Sequence, residues 1–174
     1  MEFESFGKIP RLSRECLITE KIDGTNAQIG ITENSEFYVG SRNRWLVAPN
    51  GVIGENYGFA SWALQNKDEL IAGLGPGRHF GEWWGPGIQR GYGIGERRFS
   101  LFNAKRWTLK KPDCCHVVPI LYQGVFSTDA VDQCLAYLAE KGSVAAPGFM
   151  QPEGIIVQHY ASGTVFKKTI DDAG

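Results

Sequence analysis

Neither a C-x-x-C pair nor any other zinc-like spacing occurs among the four cysteines, Cys16, Cys114, Cys115 and Cys134. The three histidines, His79, His116 and His159, are just as scattered, so the pattern excludes a structural zinc site and a disulfide framework and suits a reducing compartment. Charge of one sign is missing too. A net charge of −1 excludes a protein that coats nucleic acid by bulk phosphate neutralisation, though it leaves room for a local basic groove. No run approaches the roughly 20 apolar residues of a membrane span, and the N-terminus has no apolar leader core, so a cytoplasmic protein without membrane contact is expected. No repeat, low-complexity tract or linker interrupts the 174 residues, a length that fits one domain with a core of its own.

What is present is mostly strand signal. Residues 16–19 read as a strand that ends in an Asp23-Gly24 turn, and residues 26–32 and 36–42 alternate around Glu33-Asn34-Ser35 as a hairpin. Residues 56–74 have helical spacing, with Phe59, Ala63, Leu64, Leu70 and Ile71 able to share a face. Further strands are expected over 78–84, 98–102, 116–122, 154–159 and 164–170. Ser127-Thr128-Asp129 caps a helix to about Lys141, with Val131, Leu135 and Leu138 inward and Gly142 as the stop. The glycine-rich stretch 85–95 invites a phosphate-loop reading. It has no G-K-[ST] and no G-x-G-x-x-G spacing, so a mobile loop over a cleft is expected instead. The pattern predicts a mostly antiparallel α+β domain.

The informative string is Glu20-Lys21-Ile22-Asp23-Gly24-Thr25-Asn26. A lysine at a strand end before a tight turn puts its amine at the edge of a sheet, within a ligand's reach. Such an amine attacks phosphorus only when neutral. For an ordinary lysine, with a pKa of about 10.4, losing the proton at pH 7 costs roughly 4 to 5 kcal/mol, a cost that nearby cations and partial desolvation lower. Downstream lie Ser41-Arg42-Asn43, Phe80-Gly81-Glu82-Trp83-Trp84-Gly85, Phe99-Ser100-Leu101-Phe102-Asn103, Pro152-Glu153-Gly154-Ile155-Ile156-Val157 and Phe166-Lys167-Lys168-Thr169.

In order and spacing these segments resemble motifs I, Ia, III, IIIa, IV and V of the covalent nucleotidyltransferases, the ATP-dependent ligases and mRNA capping enzymes. The likeness extends from about Ile18 to Thr169 and is greatest to the ATP-dependent RNA ligase family, its T4 RNA ligase 2-like and phage-type branches. It implies an ATP-grasp-like domain in which the nucleotide lies between two antiparallel β-sheets flanked by helices. The implied activity is attack of Lys21 on the α-phosphate of ATP to give lysyl-AMP, transfer of AMP to an RNA 5′-phosphate, and sealing to a 3′-OH, as in RNA repair.

The resemblance also implies roles. Glu82 would bind the ribose, Phe102 would stack on adenine, and Arg42 would hold a phosphate or the ribose with its forked guanidinium. Glu153 would orient Mg²⁺ or Mn²⁺ through hard carboxylate oxygen. Glu20, Ile22 and Asn26 flank the nucleophile, Glu20 toward the base edge and Asn26 toward ribose or phosphate. Lys167 and Lys168 depart from the family's K-x-K. Adjacent strand residues face opposite ways, so one of the two reaches the α-phosphate, with Lys167 favoured. The chain ends at Asp171-Asp172-Ala173-Gly174 without room for the OB-fold that DNA ligases and capping enzymes append, so residues 1–174 are expected to form a single adenylyltransferase domain. A DNA ligase, a GTP-using guanylyltransferase and a non-catalytic module that binds nucleic-acid ends are the alternatives.

Overall fold

Two β-sheets border a shared cavity, and a few strand ends set where they meet. The computed structural model describes residues 1–171. The first sheet is built from β1 (Glu15–Lys21), β9 (Ile120–Val125), β10 (Gly154–His159) and β11 (Thr164–Thr169), in the order β11-β10-β1-β9. The second has the order β5-β4-β3-β2-β6-β7-β8. Its strands are β2 (Thr25–Ile31), β3 (Phe37–Ser41), β4 (Trp45–Ala48), β5 (Gly51–Val52), β6 (Gly77–Trp84), β7 (Arg98–Leu101) and β8 (His116–Val117). All pairings are antiparallel except β7–β8, the one parallel pair among the described residues. The expected α+β architecture of two largely antiparallel sheets is therefore what the chain adopts.

Central β1 is buried along most of its length, which explains its unbroken apolar run in place of alternation. Its Cys16 and Ile18 face α4 (Thr128–Lys141), where they pack with Val131, Leu135 and Leu138. The α4 cap is as the sequence predicts, with the Ser127 hydroxyl accepting from the Ala130 N–H. Beneath the second sheet, an aromatic cluster of Phe59, Trp62, Trp83 and Phe99 holds α1 (Phe59–Gln65) and α2 (Lys67–Leu74). A third cluster, including Leu17, Ile22, Trp84 and Tyr92, seals the junction of the two sheets.

Three expectations need correction. The helical stretch 56–74 is two short helices broken at Asn66, whose backbone leaves the helical region. The break changes the phase of the apolar face, and Leu64 ends up exposed instead of sharing it. The strand expected over 116–122 is split between sheets. Pro119 has no N–H to continue a ladder and restricts Val118, so β8 stays with the second sheet while β9 starts in the first. The glycine-rich stretch 85–95 is no loose cover, because Ile88 and Tyr92 are buried. Short β4, β5 and α3 (Ala104–Trp107) had no sequence signal long enough to read. All four cysteines are unpaired. No helix among the described residues is long and apolar enough to cross a membrane.

Candidate active site between the two sheets

Strand alternation decides which side chains reach the space between the sheets. On β1 the odd residues Thr19 and Lys21 face it, and on β10 and β11 so do Ile156, Gln158, Val165 and Lys167. The opposite wall comes from the second sheet, where Asn26 and Glu82 are cross-strand partners and Arg42 and Phe102 flank them. Together these residues line a cavity of about 580 Å³. That volume lies within the usual range of small-molecule sites.

Lys21 is the last residue of β1, opposite Gly154 of β10, so its amine lies beside the residue preceding that glycine. Lys21 Nζ donates to Glu153 Oε2 at 2.6 Å, with both side chains mostly buried. The turn after Lys21 is anchored from the other sheet. Gly24 N–H donates to Glu82 Oε1 at 3.0 Å, and Asn26 Nδ2 approaches Glu82 Oε2 at 3.4 Å. A Cβ at position 24 would run into the Trp83 carbonyl, so glycine is what allows this approach. Burial pushes the Glu82 carboxyl up to about 7, against the pull of the Gly24 N–H and the Lys21 charge.

The stretch 85–95 supplies a second anchor. Tyr92 accepts the Asp23 N–H at 2.8 Å through a phenol that burial keeps neutral. The Arg90 guanidinium bonds Asp23 Oδ2 at 3.1 Å and also donates to the carbonyls of Gln151 at 3.0 Å and Pro152 at 3.3 Å. It thereby ties the turn after Lys21 to the segment leading into Glu153. Sequence reading missed Arg90 and Tyr92 because both lie in a glycine-rich loop with no regular period.

Of the predicted residues, Lys21, Ile22, Asn26, Arg42, Glu82, Phe102 and Lys167 line the cavity together, with Glu153 joined to it through Lys21. Two side chains turn away. Lys168, expected as the second choice for the nucleotide, faces α4 and pairs with Asp132 at 3.0 Å, whereas Lys167 lines the cavity. Glu20 borders the cavity, but its carboxylate points to the helix side of the sheet. There it accepts from Ser143 Oγ at 2.6 Å and from the N–H groups of Val144 and Ala145 at 2.8 and 2.9 Å. Burial raises its pKa while those three bonds oppose the rise. Its side chain thus staples the segment after α4, and does not read a base edge in this arrangement.

Arg42 has no hydrogen-bond or ion-pair partner among the described residues, and Lys167 has no carboxylate partner there. Both cations therefore stand free to meet an anionic ligand. The described residues contain no cluster of three Cys, His, Asp or Glu side chains able to cage a metal alone. Glu153 fits an ion of the magnesium type, which needs only one or two protein carboxylates when phosphate and water oxygens complete its shell.

The model of a family described as RNA ligase matches residues 14–169. Among solved structures, a mutant Naegleria gruberi RNA ligase with AMP and Mn aligns with a TM-score of 0.64 and 19% identity, over 92% of this chain and 51% of that one. The same enzyme with pyrophosphate gives 0.63 and 20% over 91% and 50%. An archaeal ATP-dependent RNA ligase gives 0.65 and 17% over 98% and 49%. The chain thus spans about half the length of the structures it resembles. No curated protein matches it by sequence.

Proposed function

Because the chain belongs to the RNA ligase family, we propose that it acts as the adenylyl-transferring domain of an ATP-dependent RNA ligase, with Lys21 as the covalent nucleophile. The observation that carries this reading is the convergence of Lys21, Glu153, Glu82, Arg42, Phe102 and Lys167, drawn from both sheets, on one cavity of nucleotide size.

In the first step Lys21 Nζ attacks the α-phosphorus of ATP. A P–N bond forms, the P–O bond to the β-phosphate breaks, and pyrophosphate leaves. The ammonium, positioned by Glu153 at 2.6 Å, must first give up a proton to solvent, a loss that the positive charge of Lys167 and Arg42 favours. Arg42 and Lys167 supply positive charge against the phosphates, where preorganised cations do most of the catalytic work in phosphoryl transfer. Phe102, 39% exposed, offers a ring face to adenine. Glu82, with a carboxyl near neutrality, suits a ribose hydroxyl as donor or acceptor. A divalent ion, Mg²⁺ or Mn²⁺, held by Glu153 together with phosphate and water oxygens, would neutralise charge on the triphosphate and leaving group.

In the second step an oxygen of an RNA 5′-phosphate attacks the lysyl-AMP phosphorus. The P–N bond breaks, the amine takes up a proton, and AMP is joined to RNA through a pyrophosphate bridge. In the third step a 3′-hydroxyl attacks the RNA 5′-phosphorus, forms the phosphodiester and releases AMP. Both are in-line displacements that depend on positioning.

The test is intact-mass spectrometry after incubation with ATP and Mg²⁺. The chain should gain one adenylyl group, and Lys21→Ala should gain none. No gain in the unaltered chain, or a gain that survives Lys21→Ala, removes the reading. GTP in place of ATP, followed by nicked RNA against nicked DNA, fixes the nucleotide and polymer.

A further inference from the structure

We infer that the open outer part of the second sheet, centred on Phe80, Trp45, Tyr38 and Arg78, is a platform on which unpaired RNA bases stack as the strand leaves the active site. The inference rests on the RNA ligase reading above and says where the polynucleotide lies.

The argument starts from register. Directly paired residues of a sheet share a face, so the wall that carries Asn26 and Glu82 continues through Gln28 and Phe80 to Gly30 and Arg78. Across β3 the same face carries Gly40 and Tyr38, opposite Gln28 and Gly30, and on β4 it carries Trp45, opposite Gly40. The cavity wall and the open face are therefore one surface. From Glu82 to Arg78 it runs four residues, roughly 13 Å at the usual strand rise. Sheets of that scale stack two or three bases in other RNA-binding folds.

The chemistry of the face is selective. Trp45 lies across the sheet over two glycines: a Cβ at Gly30 would come 3.3 Å from the indole, and one at Gly40 would come 3.0 Å from it. Tyr38 packs at 5.2 Å from the Trp45 ring, and the Arg78 guanidinium sits 5.9 Å from it. Phe80 is 50% exposed and takes part in no ring contact, directly across from Phe102, whose N–H donates to the Phe80 carbonyl at 3.0 Å. Arg42, Arg44 and Arg78 border the face, all exposed and none paired with a carboxylate among the described residues. Glu82 lies inside the cavity and Glu36 at the far end of the face beside Thr32.

No Leu, Ile, Val or Met side chain interrupts the positions from Phe80 to Trp45. Aromatic rings and arginines also serve protein interfaces, so the occupant follows from continuity: this face runs into the wall of the cavity read above as a nucleotide site. An exposed Phe80 beside half-buried Tyr38 and Trp45, among guanidinium groups with no carboxylate partner and continuous with that cavity, has the make-up of a site for single-stranded nucleic acid.

The test uses the full chain and a fluorescent 5′-phosphorylated single-stranded oligoribonucleotide, with anisotropy read over a salt series and no ATP present. Phe80→Ala should weaken binding about tenfold, the value of one stacked base. Arg78→Ala should weaken it and lower the magnitude of the log–log salt slope by about 0.7, one phosphate contact on a single strand. Lysyl-AMP formation, scored on the same samples, should be unchanged in both variants. Unchanged affinity and slope would overturn the platform, as would an unnicked RNA duplex competing as well as the single strand. A shift in oligomeric state in these variants, seen by light scattering, would overturn it in favour of a second copy of the chain. If the unaltered protein formed no adduct, the nucleophile reading would fail while the binding data still decided the platform.

Discussion

Replacing Glu82 with Gln should abolish a pH-dependent loss of stability that this one carboxyl imposes on the fold. In the unfolded chain the group titrates at its ordinary value near 4.5, whereas burial in the folded chain pushes it up to about 7. The sign follows directly. As pH rises past the lower value, the unfolded state ionises freely while the folded state resists, so stability falls through this interval and levels off above about 7. Each pKa unit corresponds to about 1.4 kcal/mol, giving about 3 kcal/mol in full and about 2 kcal/mol between pH 5 and pH 8. At 8% exposure, solvent screening does little to reduce that figure. Glutamine keeps the oxygen that accepts from Gly24, and the exposed Asn26 amide is able to turn its own oxygen toward the new NH₂. Urea unfolding followed by tryptophan fluorescence, with Trp83 and Trp84 next to the site, reads the effect. The stability of Glu82→Gln relative to the unaltered chain should climb by about 2 kcal/mol from pH 5 to pH 8, since other titrations cancel in the difference. A difference that stays flat within about 0.5 kcal/mol would refute the claim that burial controls this group.

Three further outcomes are expected. Lys167→Ala should slow lysyl-AMP formation by roughly 10- to 100-fold, the worth of a charged hydrogen bond, whereas Lys168→Ala should change it less than about twofold, because Lys168 spends its charge on Asp132; single-turnover adenylylation compares the two. Arg90→Met should cut the same rate by at least about tenfold, because the turn after Lys21 loses its tie to the Glu153 segment, and Arg90→Lys should restore only part of it, lacking the fork that spans Asp23 and two carbonyls. Glu55→Ala should destabilise the fold by about 1 to 2 kcal/mol, since that carboxylate caps α1 through the N–H groups of Ala60 and Ser61. Burial raises the Glu55 pKa but its hydrogen bonds outweigh that and lower it, so this contribution is present above about 4.5 and is lost on acidification, which unfolding curves at pH 3 and pH 7 would show.

The residues that were legible in the sequence are those whose position follows from a strand end and a turn. Lys21 closes β1 just before Asp23-Gly24, and the order of the later motifs brings Glu82, Phe102, Glu153 and Lys167 to the same space. Alternation also indicated that only one of Lys167 and Lys168 could face the cavity, though not which of the two. The same rule, applied one residue before Lys21, would have turned Glu20 toward the helix; the motif resemblance drew attention to the base instead. Arg90 and Tyr92 were illegible for a different reason. Their contacts span 67 and 69 positions along the chain, and nothing local in an irregular loop specifies such partners. Pro119 carried a readable signal, a missing N–H, but its consequence is a change of sheet, which depends on where β1 and β7 lie.

The two sheets divide the chemistry between them, and that division explains why so much of the chain is spent on the junction. Lys21 and Lys167 lie on strands of the first sheet and Glu153 just before one, while Glu82 lies on the second sheet, with Phe102 and Arg42 just past its strand ends. On the proposed function, a displacement of one sheet against the other by a single ångström would misplace Lys21 relative to groups on the far wall such as Arg42, and errors of that size cost about 100-fold in rate. The bonds from Gly24 to Glu82 and from Asp23 to Tyr92, together with the Arg90 bridge, tie the turn after Lys21 to both sides of the junction, and the buried Trp84–Tyr92 contact at 5.1 Å holds Tyr92 in place for it. The Glu82 carboxyl is costly at neutral pH because it serves as one of these ties in a dry position. That cost is consistent with a site in which placement of the amine takes precedence over stability.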